Sequence, residues 1–177
     1  MTGRILVAGI GNIFHGDDAF GVEVAQRLMK SPFSEDVSIV DFGIRGFDLA
    51  FALLDGYEAT ILVDAIQRGG APGTIFVMEP DLDNLDALID SSPEGTSHEM
   101  NPARVLALTK QMGGPQGRVL LIGCEPLTFG SEEEGQMGLS DVVAEAVDVA
   151  ILKIKALVSD LLGQIAAVNR LPQTQPN

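Results

Sequence analysis

The chain has 177 residues, of which 46% are hydrophobic, and its 25 acidic residues against 11 Lys and Arg give a formal net charge of −14. This length and composition predict one domain with a sizeable core, and the negative charge argues against nucleic acid or an anionic membrane as a partner. The single cysteine excludes an internal disulfide. Since no run of about 18 apolar residues occurs, we expect a cytoplasmic protein.

Predicted strands and helices alternate along the chain. Residues 4–10 form an apolar strand, residues 19–29 place apolar side chains at helical spacing, and residues 37–42 form a second strand, which together predict a β-α-β unit. The later predicted elements are a helix at 47–54, strands at 59–66 and 73–78, helical turns at 81–89, a helix at 102–112, a strand at 119–123 and a long helix at 139–165. We expect residues 1–168 to form the domain and residues 169–177 to be a disordered tail.

This alternation predicts the α/β class. We expect a single-domain three-layer sandwich, in which a twisted, mostly parallel sheet of about five strands lies between helices on both faces. Functional residues of such folds cluster at the carboxyl ends of strands, near the point where the strand order reverses. Three segments meet that condition: Asp17 and Asp18 after the first strand, Asp64 near the end of the third, and the Ser97-His98-Glu99 loop before a helix.

These segments predict a site for a divalent cation. Capping a helix start requires only one Asp or Asn, so the acidic doublet suggests a site that holds something. Asp64 is the only charge in an apolar run, so its carboxylate needs a partner, a proton or water. Two carboxylates and the imidazole of His98 would leave coordination positions open, which suits Zn, Ni, Mn or Mg without choosing among them. The alternatives are an Asp64 that caps a loop, a surface His98 and a merely solvated acidic surface.

Other common chemistries lack their motifs. Gly9-Ile10-Gly11-Asn12 resembles the start of a dinucleotide-binding loop, but Phe14 stands where the third glycine belongs, and the chain has no phosphate loop, G-x-S-x-G elbow or H-E-x-x-H helix. Cys124 ends a predicted strand and is expected to pack rather than to bind a metal. His15 is expected on the surface of its loop.

Four motifs, in order along most of the chain, resemble those of the NiFe-hydrogenase maturation endopeptidase family. They are Gly11-Asn12 with Gly16-Asp17-Asp18 and Gly21, Val63-Asp64-Ala65-Ile66, Ala71-Pro72-Gly73-Thr74, and Ser97-His98 before a helix. Beyond Gly123 the chain is similar only as a strand followed by a long helix. It departs from the family at His15 and at Asp41-Phe42-Gly43-Ile44, where some relatives have a more glycine-rich turn, and this leaves open which hydrogenase class is served.

The resemblance implies an endopeptidase that removes a short carboxyl-terminal extension from the hydrogenase large-subunit precursor after nickel insertion. It implies that Asp18, Asp64 and His98 are the metal-contacting and catalytic residues, with Asp17 as a structural neighbour. Nickel would arrive with the precursor, and another divalent ion such as zinc or cadmium would also fit the site. The expected partner is therefore the precursor, with neither nucleic acid nor a membrane.

Two other classes of function stay open at this point. A nickel-reading chaperone would bind the loaded precursor through the same three residues without cutting it. A peptidyl-tRNA hydrolase also begins with a strand and a Gly-Asn turn, but a net charge of −14 without a basic stripe opposes the binding of RNA.

Overall fold

A five-stranded sheet forms the centre of the computed structural model, which describes residues 4–85, 101–131 and 134–170. The strands are β1 (Ile5–Ile10), β2 (Val37–Gly43), β3 (Ala59–Ala65), β4 (Ile75–Met78) and β5 (Arg118–Cys124). Their order in the sheet is β2-β1-β3-β5-β4. All neighbouring pairs are parallel except β4 and β5. The helices are α1 (Phe20–Leu28), α2 (Gly46–Ala52), α3 (Pro102–Gln111) and α4 (Asp141–Asn169), and a 3-10 helix at Gly16–Ala19 precedes α1.

Helices cover both faces of the sheet. On one face, α1 and α4 share a core with strand residues such as Val7 and Ile61. On the other face, α2 and α3 share a second core with residues such as Leu6 and Leu62. Strands β1 and β3 are buried along their whole length, which explains why their sequences are continuous apolar runs rather than alternations. The predicted α/β sandwich with a mostly parallel sheet is confirmed.

Local sequence signals explain how α3 and α4 form. The side chain of Asn101 caps α3 by accepting a hydrogen bond from the N–H of Ala103 at 2.7 Å, and Pro102 occupies the first turn. Helix α4 begins after Ser140 and runs for 29 residues. Its buried side chains recur at helical spacing along one stripe; they are Val143, Ala146, Val147, Ala150, Ile154, Val158 and Leu161.

Some element boundaries differ from those predicted. The strand expected at 73–78 begins only at Ile75, because residues 71–74 form a turn in which Thr74 N–H donates to Ala71 O at 3.1 Å and Gly73 has φ of 80°. Positive φ at the third residue of the turn, directly after a proline, is the type II turn signature. Helix α4 continues through Asn169. Residues 171–177 of the expected tail and 86–89 of the expected helical turns lie outside the described residues.

Gly21 allows α1 to pack closely against the sheet. A Cβ atom at this position would lie 2.1 Å from Val63 O and 2.3 Å from Ile10 O, which are both backbone atoms of the sheet. We expect Gly21→Ala to lower the free energy of unfolding by about 1–3 kcal/mol, because the helix must move away from the strands.

Gly163 provides a matched control in α4, where an added Cβ meets nothing within 4 Å. Gly163→Ala should raise the free energy of unfolding by about 0.5–1 kcal/mol, because alanine favours the helix. Urea unfolding of the two variants measures both effects. If both substitutions changed the free energy of unfolding in the same direction, this would contradict the close packing of Gly21.

Candidate active site

The strand order favours a site at the carboxyl ends of β1 and β3. Strand β1 has β2 on one side and β3 on the other, so the strand order reverses there. The 3-10 helix follows β1 and contacts β3. Asp18 belongs to this helix and Asp64 is the second-last residue of β3. The fold therefore brings two of the three predicted site residues to one edge of the sheet.

The turn between β1 and α1 holds Asp18 in place. Only 8% of Asp18 is exposed, and its Oδ2 accepts a hydrogen bond from the N–H of Asn12 at 2.9 Å. Oδ1 of Asn12 in turn accepts the N–H of Phe14 at 3.0 Å. Gly11 has φ of 145°, and an added Cβ there would lie 1.8 Å from Asp18 O. The turn can close around the carboxylate only because position 11 is glycine.

Asp64 is a buried carboxyl group that faces a second negative charge. It is 4% exposed, and its Oδ1 accepts the N–H of Ala65 at 2.9 Å. Burial raises the pKa of Asp64 well above its ordinary value, the charge of Asp18 raises it further, and the Ala65 hydrogen bond opposes both effects. Among the described residues, none donates a hydrogen bond to Oδ2 of Asp64. A bound cation would offset both the cost of burying an ionised Asp64 and its repulsion by Asp18.

The third predicted site residue, His98, lies outside the described residues. Within the part of the chain that the structure describes, no group of three or more His, Cys, Asp or Glu side chains is placed to hold a metal ion. The described part of the site is therefore a pair of carboxylates. Oxygen ligands of this kind suit hard or borderline divalent cations.

Asp17 is the structural member of the acidic doublet. It is fully buried, and its Oδ2 accepts the N–H of Leu127 at 2.8 Å, the N–H of Thr128 at 3.0 Å and the hydroxyl of Ser140 at 3.0 Å. Its Oδ1 accepts the N–H of Ser140 at 2.7 Å. Asp17 thus ties the turn after β1 to the loop after β5 and to the start of α4.

Glu125 is a buried carboxylate that sequence reasoning missed. Its oxygens accept the N–H of Arg68 at 2.9 and 3.1 Å and the N–H of Gly69 at 3.1 Å, so it anchors the loop that follows β3 and Asp64. An acidic residue directly after a buried strand was the available signal. The neighbouring Cys124 packs in the core, as expected, and burial together with the charges of Asp17 and Glu125 raises the pKa of its thiol to about 12.

Comparison with known proteins decides the family. The model of the hydrogenase maturation protease family (HycI) matches residues 22–156. The chain belongs to this family. Over 148 residues it is 34% identical to a putative hydrogenase maturation protease of Methanocaldococcus jannaschii, an alignment that covers 83% of this chain and 91% of that protein. It is 32% identical over 149 residues to the hydrogenase expression/formation protein HupD of Rhodobacter capsulatus, covering 84% of this chain and 68% of that protein.

Solved structures of hydrogenase maturation proteases have the same fold. The hydrogenase maturating endopeptidase HybD of Escherichia coli superposes with a TM-score of 0.74 at 25% identity, over 89% of this chain and 93% of that chain. A hydrogenase 2 maturation peptidase from Thaumarchaeota archaeon SCGC_AB-539-E09 superposes with a TM-score of 0.63 at 34% identity, over 87% of this chain and 97% of that chain.

The family inferred from the sequence motifs is confirmed. As a hydrogenase maturation protease, the chain is a peptidase that processes a hydrogenase precursor. In residues 4–85, 101–131 and 134–170, no helix combines the length and the apolar composition needed to cross a membrane.

Proposed function

We propose that this hydrogenase maturation protease removes a short carboxyl-terminal extension from the precursor of a NiFe-hydrogenase large subunit. The protease recognises the precursor by the nickel that the precursor already holds. The observation that supports this proposal is the pair of buried carboxylates, Asp18 and Asp64, of which Asp64 has a pKa raised by burial and by its neighbour. The single cysteine and the chain's composition favour the cytoplasm as the place of the reaction.

The buried pair is suited to a cation that a partner delivers. Two carboxylates in one buried place repel each other, and a divalent cation between them removes that repulsion. Two carboxylates, or three ligands with the imidazole of His98, leave coordination positions for donors from the precursor. A precursor without nickel would bring no positive charge to the pair, so the same residues would bind it less tightly.

The residues have distinct roles in the proposed reaction. Asp18, fixed by the N–H of Asn12, and Asp64, fixed by the N–H of Ala65, orient the nickel-bearing segment of the precursor, with His98 as the third ligand. A divalent cation so placed polarises a carbonyl group and lowers the pKa of water. Because ligands bind cations in their ionised form, Asp64 releases any proton it holds when the loaded precursor binds. Zinc or cadmium would occupy the same ligands in place of nickel.

Asp18→Asn tests the recognition step. Asparagine keeps the size and an oxygen acceptor for the N–H of Asn12 but removes the charge, so we expect affinity for the nickel-loaded precursor to fall about tenfold or more. Isothermal titration with the purified precursor measures this change.

The nickel-free precursor is the control for Asp18→Asn, because its affinity should be nearly the same for the variant and the wild type. Thermal unfolding of the variant should remain cooperative. An equal loss of affinity for both forms of the precursor, or loss of cooperative unfolding, would indicate that Asp18 supports the fold rather than nickel recognition.

A further inference from the structure

Four large apolar side chains are exposed on the turn that carries Asp18 and on the loop hydrogen-bonded to that turn. Their exposed fractions are 41% for Ile13, 57% for Phe14, 59% for Leu127 and 71% for Met137. We refer to these four residues as the apolar rim. Single exposed apolar residues are common on protein surfaces, but a group of them around a site indicates a surface that contacts another molecule.

Backbone hydrogen bonds hold the two loops of the apolar rim together. The N–H of Gln136, next to Met137, donates to Phe14 O at 2.8 Å, and the N–H of Gly16 donates to Gln136 O at 2.7 Å. Leu127 is held to the same turn through its own N–H, which donates to Asp17. The rim is therefore built on paired backbone and on a buried carboxylate, so little conformational entropy is lost when a partner binds it.

The apolar rim and the carboxylate pair share one turn of the chain. Asn12 donates its N–H to Asp18 and accepts the N–H of Phe14, so a single residue joins the site to the rim. The side chains of Ile13 and Phe14, next to Asn12, therefore belong to the same turn that holds Asp18. The rim is thus continuous with the candidate site.

We propose that the apolar rim docks an apolar stretch of the hydrogenase precursor that lies next to its metal-bearing segment. This inference rests on the proposed function. The carboxylate pair recognises a cation but not a polypeptide, so affinity for the chain around the cation must come from other contacts. The protein has a net charge of −14, but the four side chains of the apolar rim are uncharged. An apolar segment can therefore contact the rim without supplying a positive charge.

Phe14→Ser and Met137→Ser test the docking of the precursor. Each side chain is exposed, so both variants should fold with the wild-type Tm. We expect each to bind the nickel-loaded precursor about tenfold or more weakly, with the loss of processing lying in KM rather than in kcat. Leu152→Ser is the matched control, because Leu152 is 70% exposed but lies on α4, about 18 Å along the helix from Ser140. Its affinity and kinetics should equal those of the wild type.

The outcomes separate this proposal from the proposed function. Wild-type affinity in both rim variants, or an equal loss in Leu152→Ser, would overturn docking at the rim. A change in self-association of the isolated protein, with unchanged affinity for the precursor, would assign the rim to a second copy of the chain and would also overturn it. If the wild type binds the precursor but leaves it intact, the proposed function fails while the binding constants still decide the docking proposal.

Discussion

Asp64→Asn is expected to lower kcat/KM for precursor processing by about 10²–10³-fold. The substitution removes a buried charge from the carboxylate pair and leaves an oxygen that accepts the N–H of Ala65, as Oδ1 of Asp64 does at 2.9 Å. Local geometry is therefore kept while the interaction with a cation is weakened. The rate at which the precursor shortens, followed by mass spectrometry, measures this effect.

The same variant should be as stable as the wild type or more stable at neutral pH. Because the pKa of Asp64 is raised in the folded protein, the folded state binds more protons than the unfolded state between the two pKa values. Its carboxyl group therefore destabilises the fold increasingly as the pH rises through that window, and the penalty disappears below the unfolded pKa. Asp64→Asn removes the penalty, and each kcal/mol of relief raises Tm by about 2–4 °C.

Asp148→Asn is the control for Asp64→Asn, because it removes the same charge from an exposed side chain paired with Arg27. It should leave both processing and Tm nearly unchanged. Wild-type processing by Asp64→Asn, or a Tm well below that of the wild type at neutral pH, would contradict the assigned role of Asp64.

Asp17→Ala should have the opposite effect, with a large loss of stability. It leaves the N–H groups of Leu127, Thr128 and Ser140 without their acceptor. These N–H groups are part-buried, and each costs about 1–2 kcal/mol when left unsatisfied, so the free energy of unfolding should fall by about 3–5 kcal/mol. Thermal unfolding should show this as a Tm lower by roughly 10 °C.

Asp17→Asn distinguishes hydrogen bonding from charge at the same position. Asparagine offers one acceptor oxygen and turns an N–H donor toward groups that are themselves donors, so it should destabilise nearly as much as alanine. Asp148→Ala, in which an exposed ion pair is lost, should change stability by about 0–1 kcal/mol. A Tm for Asp17→Ala close to that of Asp148→Ala would show that the four hydrogen bonds do not hold the loops together.

Much of the fold follows from the sequence because the apolar patterns are strong. The continuous apolar runs of β1 and β3 predict buried parallel strands, and the stripe along α4 predicts a long packed helix. The direction of β4 does not follow from its residues, since an antiparallel edge strand and a parallel one share the same composition. It depends on the turn at 71–74, after which the chain pairs with β5.

Local sequence patterns predict only part of the site. The position of Asp64 in an apolar run predicts a carboxylate that needs a partner, a proton or water, and the structure buries this carboxylate near the end of β3. Asp17 and Asp18 are adjacent and chemically identical, so no local pattern distinguishes them; the assignment of Asp18 to the site came from the family resemblance. What separates them physically is the loop after β5, whose N–H groups reach Asp17 from more than 100 residues away. Long-range packing also determines the anchoring role of Glu125, because the sequence shows only an acidic residue after a buried strand and not the N–H groups of Arg68 and Gly69 that it accepts.

The most direct test of the proposed function compares the nickel-loaded and nickel-free precursor of the large subunit from the same organism, each mixed with the purified protease and followed by mass. We predict that a short carboxyl-terminal peptide is lost only from the nickel-loaded form, and that the loss is prevented by Asp64→Asn in a folded protein. Equal cleavage of both forms would contradict nickel recognition. A stable complex with an intact nickel-loaded precursor would contradict cleavage and assign the carboxylate pair to binding alone.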